Sequence, residues 1–250
     1  MNTLVNTAAS IATEPAAANP SSLTPPNFNH LARIYRWLEY FSFGPLLWRC
    51  RTHFLSKLAH CRRALVLGDG DGRFTARLLH DNRSIQVHAI DGSPRMIEAL
   101  EQAAAPHRSR LTTEVADLRE WYPALPTPYD LVVSHFFLDC LTTDEVASLT
   151  RRLAPALKPD ALWLISEFAT PNTAFGRMIA APLVASLYRA FHLLTGLGPQ
   201  SMPNHAGALS ASGWMLELED RHLCGLLISQ LWRFESLDAS DLAPYASTPK

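Results

Sequence analysis

Apolar and polar positions along this chain change period several times. Short apolar or alternating runs recur at Ala64–Leu67, Ile85–Ile90, Leu111–Ala116, Tyr129–Ser134 and Ala161–Ser166. Each has the length of a strand and is bounded by Gly, Pro, Asp or Asn. Between them apolar residues return every three or four positions, the spacing of a helix with one buried face. Such stretches run from Phe74 to His80, from Pro94 to Ala104 with Ser93 as N-cap, and through Val146, Leu149, Leu153 and Leu157 behind a Thr142–Glu145 capping box. Lys158-Pro159-Asp160 is expected to end that last helix. Five strands alternating with helices predict a parallel sheet with right-handed crossovers. Two further runs, Trp214–Glu219 and Leu226–Trp232, are separated only by about Arg221–Gly225. That link is too short for a crossover, so the two must pair antiparallel. The expected fold is a Rossmann-like α/β domain: a seven-stranded sheet, mostly parallel, with an antiparallel C-terminal hairpin and helices on both faces.

Two helical patterns precede the first strand, Phe28 to about Phe43 and about Leu46 to Ala59, with Gly44-Pro45 between them. They predict an N-terminal helical cap over residues 28–60. Tyr35, Trp37, Tyr40, Phe41, Phe43 and Trp48 make it aromatic enough to wall a planar or apolar substrate. Thr170 to Gly198 has a helical pattern broken by Pro182. It reads as an amphipathic insertion packed on the domain, or as a lid or membrane-surface helix over 174–195. Residues 1–27 are rich in Ala, Thr, Ser, Asn and Pro, and the first basic residue is Arg33. They read as a disordered tail rather than a targeting segment, leaving residues 28–250 as a single domain.

Composition narrows the options. Of 250 residues 48% are hydrophobic and 18% charged, and the net charge is −1. This gives no electrostatic case for nucleic acid as a partner. No run is long enough to cross a membrane, and a cytoplasmic setting is expected. The four cysteines stand far apart without metal-ligand spacing, so reduced, mostly buried thiols and no metal are expected.

The candidate chemistry gathers at strand ends. In parallel sheets ligands bind beyond the carboxyl ends of the strands. Gly68-Asp69-Gly70-Asp71-Gly72, Asp91, Asp117, Ser134-His135 and Glu167 all fall there. The glycines allow a sharp turn and close approach of backbone to a ligand. Arg73 stands where a dinucleotide fingerprint has its third glycine. Asp91, at the end of the second strand, suits two ribose hydroxyls, and Asp117-Leu118 suits an adenine edge and face.

With these positions in place the chain resembles the class I S-adenosylmethionine-dependent methyltransferases over about residues 60–235. The resemblance rests on Leu65-Val66-Leu67-Gly68-Asp69-Gly70-Asp71-Gly72, Ala89-Ile90-Asp91-Gly92-Ser93-Pro94-Arg95-Met96, Ala116-Asp117-Leu118, Tyr129-Asp130-Leu131-Val132-Val133 and Leu157-Lys158-Pro159. It implies S-adenosylmethionine as cofactor. The Gly turn (Gly68, Asp69, Gly70, Gly72) would hold the methionine part, Asp91 the ribose and Asp117-Leu118 the adenine, with Gly92, Met96 and Ser134 completing the set. Val66 stands where the family often has an acid, and Asp69 or Asp71 would take over its ordering of the loop. Ala32-Arg33-Ile34-Tyr35, Ser42-Phe43-Gly44 and Trp48-Arg49 are similar to quinone C-methyltransferases, which favours a small, apolar or aromatic methyl acceptor. Methyl transfer from a sulfonium needs mainly alignment and exclusion of water. Where a base is needed, His135 is best placed, with Asp139 four residues on to orient it. His88, His192 and His205 are expected in surface or packing roles. A nicotinamide-dependent oxidoreductase and a non-catalytic binding protein of the same fold are the alternatives, separable by which nucleotide binds.

Overall fold

The computed structural model describes residues 44–124, 128–169 and 203–235. The tail 1–27, the predicted helix Phe28–Phe43 with its aromatic residues, and the predicted 170–198 insertion lie outside the described residues.

Helix α1 (Gly44–Thr52) and a 3-10 turn (Leu55–Leu58) lead into β1 (Arg63–Leu67). Then follow α2 (Arg73–Asp81), β2 (Gln86–Asp91), α3 (Pro94–Ala103), β3 (Leu111–Val115), β4 (Tyr129–His135), α4 (Thr143–Leu153) and β5 (Leu157–Phe168). The described residues close with α5 (His205–Ser210), β6 (Trp214–His222) and β7 (Leu227–Phe234). The seven strands form one sheet in the order β3-β2-β1-β4-β5-β7-β6. β1 to β5 are parallel, while β7 runs antiparallel to both β5 and β6.

Alternation along the strands divides the core into two layers. Leu65, Leu67, Val132, Trp163 and Ile165 face α4 and α5 through Val146, Leu149, Leu153 and Leu209. Ala64, Val66, Val87, Ala89, Leu131 and Leu164 face the other way, against Phe74, Leu78 and Leu79 of α2, Leu100 of α3 and Leu58. A period of two in the strands and 3.6 in the helices produces this three-layer arrangement directly. It also sets the carboxyl ends of β1 to β5 along one edge.

Three local expectations need correction. Lys158-Pro159-Asp160 does not separate helix from strand. α4 ends at Leu153, and the tripeptide lies inside β5, where the pairing with β4 slips between Tyr129 and Leu131. Asp160 takes φ 60 there, the signature of a bulge that absorbs the proline. The second N-terminal helix starts earlier and ends sooner than predicted, with Pro45 in the first turn, where a missing N–H costs nothing. The cysteines divide evenly: Cys50 and Cys61 are buried, Cys140 and Cys224 exposed.

Candidate active site

The turn after β1 is built from three left-handed glycines, Gly68 (φ 63), Gly70 (φ 65) and Gly72 (φ 75). They do different work. A Cβ on Gly68 would sit 2.5 Å from Phe137 Cδ2, and one on Gly72 would sit 2.4 Å from the Leu100 Cα of α3. A Cβ on Gly70 would meet nothing within 4 Å. Two of the glycines therefore let the domain pack, and the middle one turns bare backbone toward open space.

Acidic side chains fix this loop from inside. Asp69 is buried and accepts the Thr75 N–H at 2.9 Å, which satisfies a first-turn donor of α2. Val66 is wholly inside the α2 layer, so the loop-ordering acid comes from Asp69. Burial raises Asp69 to about 6, against the opposing pull of the Arg51 guanidinium and the Thr75 bonds. Asp71 instead pairs with Arg73 at 2.8 Å on the outside. Asp91, at the end of β2, accepts the Ser93 N–H at 2.8 Å and also takes the Gly70 N–H. One carboxylate thus joins the loop after β1 to the loop after β2. Burial lifts it to about 6, while those two N–H bonds pull it down. Ser93 begins α3 without a side-chain cap, and Asp91 serves its backbone instead. Gly92 is exposed and Met96 half-buried beside it.

Beyond β3, Asp117 is gripped by Arg119, whose Nε and Nη2 reach its carboxylate at 3.0 and 2.7 Å. The Arg119 contact holds Asp117 below the usual carboxylate range. Leu118 is buried. A cavity of about 550 Å³ opens here, lined by Asp117, Arg119, Glu120, Asp144, Glu145 and Ser148.

Residues 64–160 match the family model described as a methyltransferase domain. Over those residues the chain is similar to methyltransferase domains. The trans-aconitate 2-methyltransferase of Mycobacterium tuberculosis is 30% identical over 165 residues, 64% of this chain and 59% of that protein. The malonyl-[acyl-carrier protein] O-methyltransferase of Halorhodospira halophila is 32% identical over 117 residues, 46% of this chain and 37% of that one. The chain thus spans well under two thirds of these relatives. An O-methyltransferase family protein from Burkholderia thailandensis superposes with a TM-score of 0.59 at 18% identity, over 78% of this chain and 59% of that one, and so shares the fold.

The floor of the site differs in part from the sequence reading. Ser134 is fully buried, and its Oγ accepts the Trp163 indole N–H at 3.0 Å, on the α4 side of the sheet. Its hydroxyl serves the core. His135 is buried with its ring edge-on to Phe74, centroids 4.3 Å apart. Neither ring nitrogen has a hydrogen-bond partner among the described residues. Burial, with Arg51 second, holds His135 well below its ordinary value. Asp139, expected to orient it, hydrogen-bonds Glu167 at the end of β5 instead. Glu167 Oε1 also accepts the N–H groups of Phe137 and Leu138 at 3.1 and 2.8 Å. It acts as a strut that fixes the turn after β4, and through Phe137 it supports Gly68. Burial and the neighbouring Asp139 raise Glu167 well above the usual range.

Arg51 was not singled out by the sequence pattern. It lies on α1, buried, its guanidinium 5.4 Å from the Phe136 ring centroid and within electrostatic reach of Asp69 and His135. An arginine in an amphipathic helix ordinarily reads as solvent-facing, and no periodicity distinguishes this one. His88 and His205 hold packing roles, bonded to Tyr129 at 2.8 Å and Gln230 at 3.2 Å. Trp48 packs beside Arg73, Ala76 and Arg77 of α2.

Proposed function

We propose that this chain transfers a methyl group from S-adenosylmethionine to a small, apolar or aromatic acceptor. The observation that carries the reading is Gly70: left-handed backbone with open space above it, tied by its N–H to the carboxylate of Asp91. A cofactor needs such a cradle, and a Cβ at Gly70 would fill it. A carboxylate has about four lone-pair sites, so Asp91 keeps capacity for a ribose diol after taking two N–H groups. Gly68 and Gly72 hold the loop in shape, Leu118 offers an apolar face to a purine, and Asp117 lies at its edge. Gly92 and Met96 border the ribose side. When bound, the cofactor supplies a sulfonium-activated methyl group, and displacement needs alignment more than acid or base.

His135 is the residue to accept a proton where the acceptor is a hydroxyl or carbon acid. Burial holds its pKa well below the ordinary value, and neither nitrogen has a hydrogen-bond partner among the described residues. Asp139 supports the floor through Glu167. One observation favours a second reading of the acceptor. The relatives act, by their names, on trans-aconitate and on malonyl-[acyl-carrier protein]. Arg51 places a guanidinium beside His135, which suits an anionic acceptor.

Calorimetric titration with S-adenosylmethionine, S-adenosylhomocysteine and NAD tests the reading. Both sulfur nucleotides should bind and NAD should not. Asp91→Ala should weaken S-adenosylmethionine binding about 10- to 100-fold, the loss of one or two charge-assisted hydrogen bonds. Binding of NAD alone, or an unchanged affinity in Asp91→Ala, would overturn the assignment.

A further inference from the structure

We infer that His53, Asp220 and His222 form a binding site for a divalent transition metal of the zinc type, separate from the methyl-transfer site. Three observations carry this. First, Asp220 and His222 are two residues apart on β6, so both side chains leave the same face of the strand. His53, just beyond α1, meets them there. Second, the ligand atoms are spaced as a metal requires. The Asp220 Oδ2 lies 3.1 Å from His53 Nε2 and 3.7 Å from His222 Nε2. A tetrahedral ion with bonds of about 2.0–2.1 Å keeps its ligand atoms roughly 3.4 Å apart. One candidate ligand atom from each residue lies within 4.8 Å of the other two, and the two imidazole rings stand 4.9 Å apart, edge to face. Third, the donor set is selective. Two imidazoles and one carboxylate suit zinc and its first-row neighbours, whereas calcium and magnesium take all-oxygen shells.

The surroundings accommodate the ion. His53 and Asp220 side chains are 36% and 46% exposed, leaving room for water at a fourth position. His222 Nε2 lies 3.0 Å from Ser229 Oγ, and that hydroxyl donates to the Cys50 carbonyl at 2.7 Å. Ser229 therefore accepts from His222. Coordination through Nε2 would replace the bond to Ser229, move the imidazole proton to Nδ1 and leave the ring neutral. Of the other charges near His222, Arg49 opposes a cation, and Arg221 is paired with Glu219 at 2.8 Å.

The site stands at the outermost strand, with β4, β5 and β7 between it and β1. Four strand spacings of about 4.8 Å put it roughly 19 Å across the sheet from the Gly turn. Its ligands come from the segment after α1 and from the C-terminal hairpin. A bound ion would cross-link them and hold α1, which carries Arg51, against β7.

Calorimetry on the full chain, without an affinity tag and stripped by chelator, would test this with zinc chloride. One ion per chain should bind. His53→Ala and His222→Ala should each weaken it by more than the ~10- to 100-fold that loss of an outer-shell partner costs. His80→Ala, at an exposed histidine, should leave it unchanged. Cobalt in the wild-type chain should give the intense visible absorption of a four-coordinate N/O site, and Asp220→Asn, which preserves side-chain shape, should lose it. Wild-type zinc affinity equal to that of either histidine variant, or a cobalt spectrum no different from the aqueous ion, would overturn the proposal. None of these readouts depends on methyl transfer.

Discussion

The last two glycines of the turn give a sharp test, because they share a backbone conformation and differ in what surrounds them. Gly70 and Gly72 have φ 65 and 75. Any side chain there meets the left-handed penalty, roughly 1–2 kcal/mol. For Gly70→Ala that is the whole stability cost, since its Cβ would have no neighbour within 4 Å. For Gly72→Ala the Cβ would stand 2.4 Å from Leu100 Cα and 2.7 Å from its Cβ and Cγ. The first of these is backbone, so α3 itself must move, which adds about 1–3 kcal/mol of overpacking. Gly72→Ala should thus lose about 2–5 kcal/mol in all, and Gly70→Ala about 1–2. With a urea slope of about 3 kcal/mol/M, the unfolding midpoint should fall by roughly 0.7–1.7 M for Gly72→Ala and by ~0.5 M for Gly70→Ala. Circular dichroism without ligand reads both. Calorimetry should invert the ranking: Gly70→Ala pushes a methyl into the cradle and should weaken S-adenosylmethionine at least ~10-fold. Equal midpoints, or full affinity in Gly70→Ala, would refute the division of labour between the glycines.

Asp69→Asn should keep the bond from Thr75 N–H while removing a buried charge. The Asp69 pKa is raised to about 6 in the fold, so the folded state holds the proton longer than the unfolded chain and this group's contribution falls as pH rises from about 4 to 6. The variant should match wild type near pH 4 and become the more stable of the two above pH 6; urea midpoints across that range would show the divergence or its absence. Thr142→Ala removes the side-chain half of a capping box, in which Thr142 Oγ1 accepts from Glu145 N and Glu145 Oε2 from Thr142 N. It should cost about 1 kcal/mol, a fall of about 2–4 °C in Tm, with cofactor affinity unchanged.

The parts of the molecule legible in the sequence are those set by local period. The seven strands, the capping box and the glycine turn follow from spacing alone, because each strand end and helix start is marked within a few residues. The bulge at Lys158-Pro159-Asp160 was misread because a proline ordinarily closes a helix, and only pairing with Tyr129 and Leu131 reveals it as part of β5. The direction in which side chains at the floor point was equally hidden. Ser134 and His135 are adjacent, so their side chains leave opposite faces of β4, one toward Trp163 and the other toward Phe74. Asp139 found Glu167 rather than His135 because tertiary packing brings the end of β5 to it. His53 and His222 are far apart in sequence, and their meeting depends on β6 lying at the sheet's far edge.

Asp91 also ties the fold together, apart from the ligand role proposed for it. By taking N–H groups from both Gly70 and Ser93 it makes the loops after β1 and β2 a single body before any ligand arrives. The conformational entropy of ordering two walls of the cradle is lost once, when the chain folds. Binding then proceeds on a preorganised surface, where interaction energy appears as affinity instead of being consumed in bringing loops together.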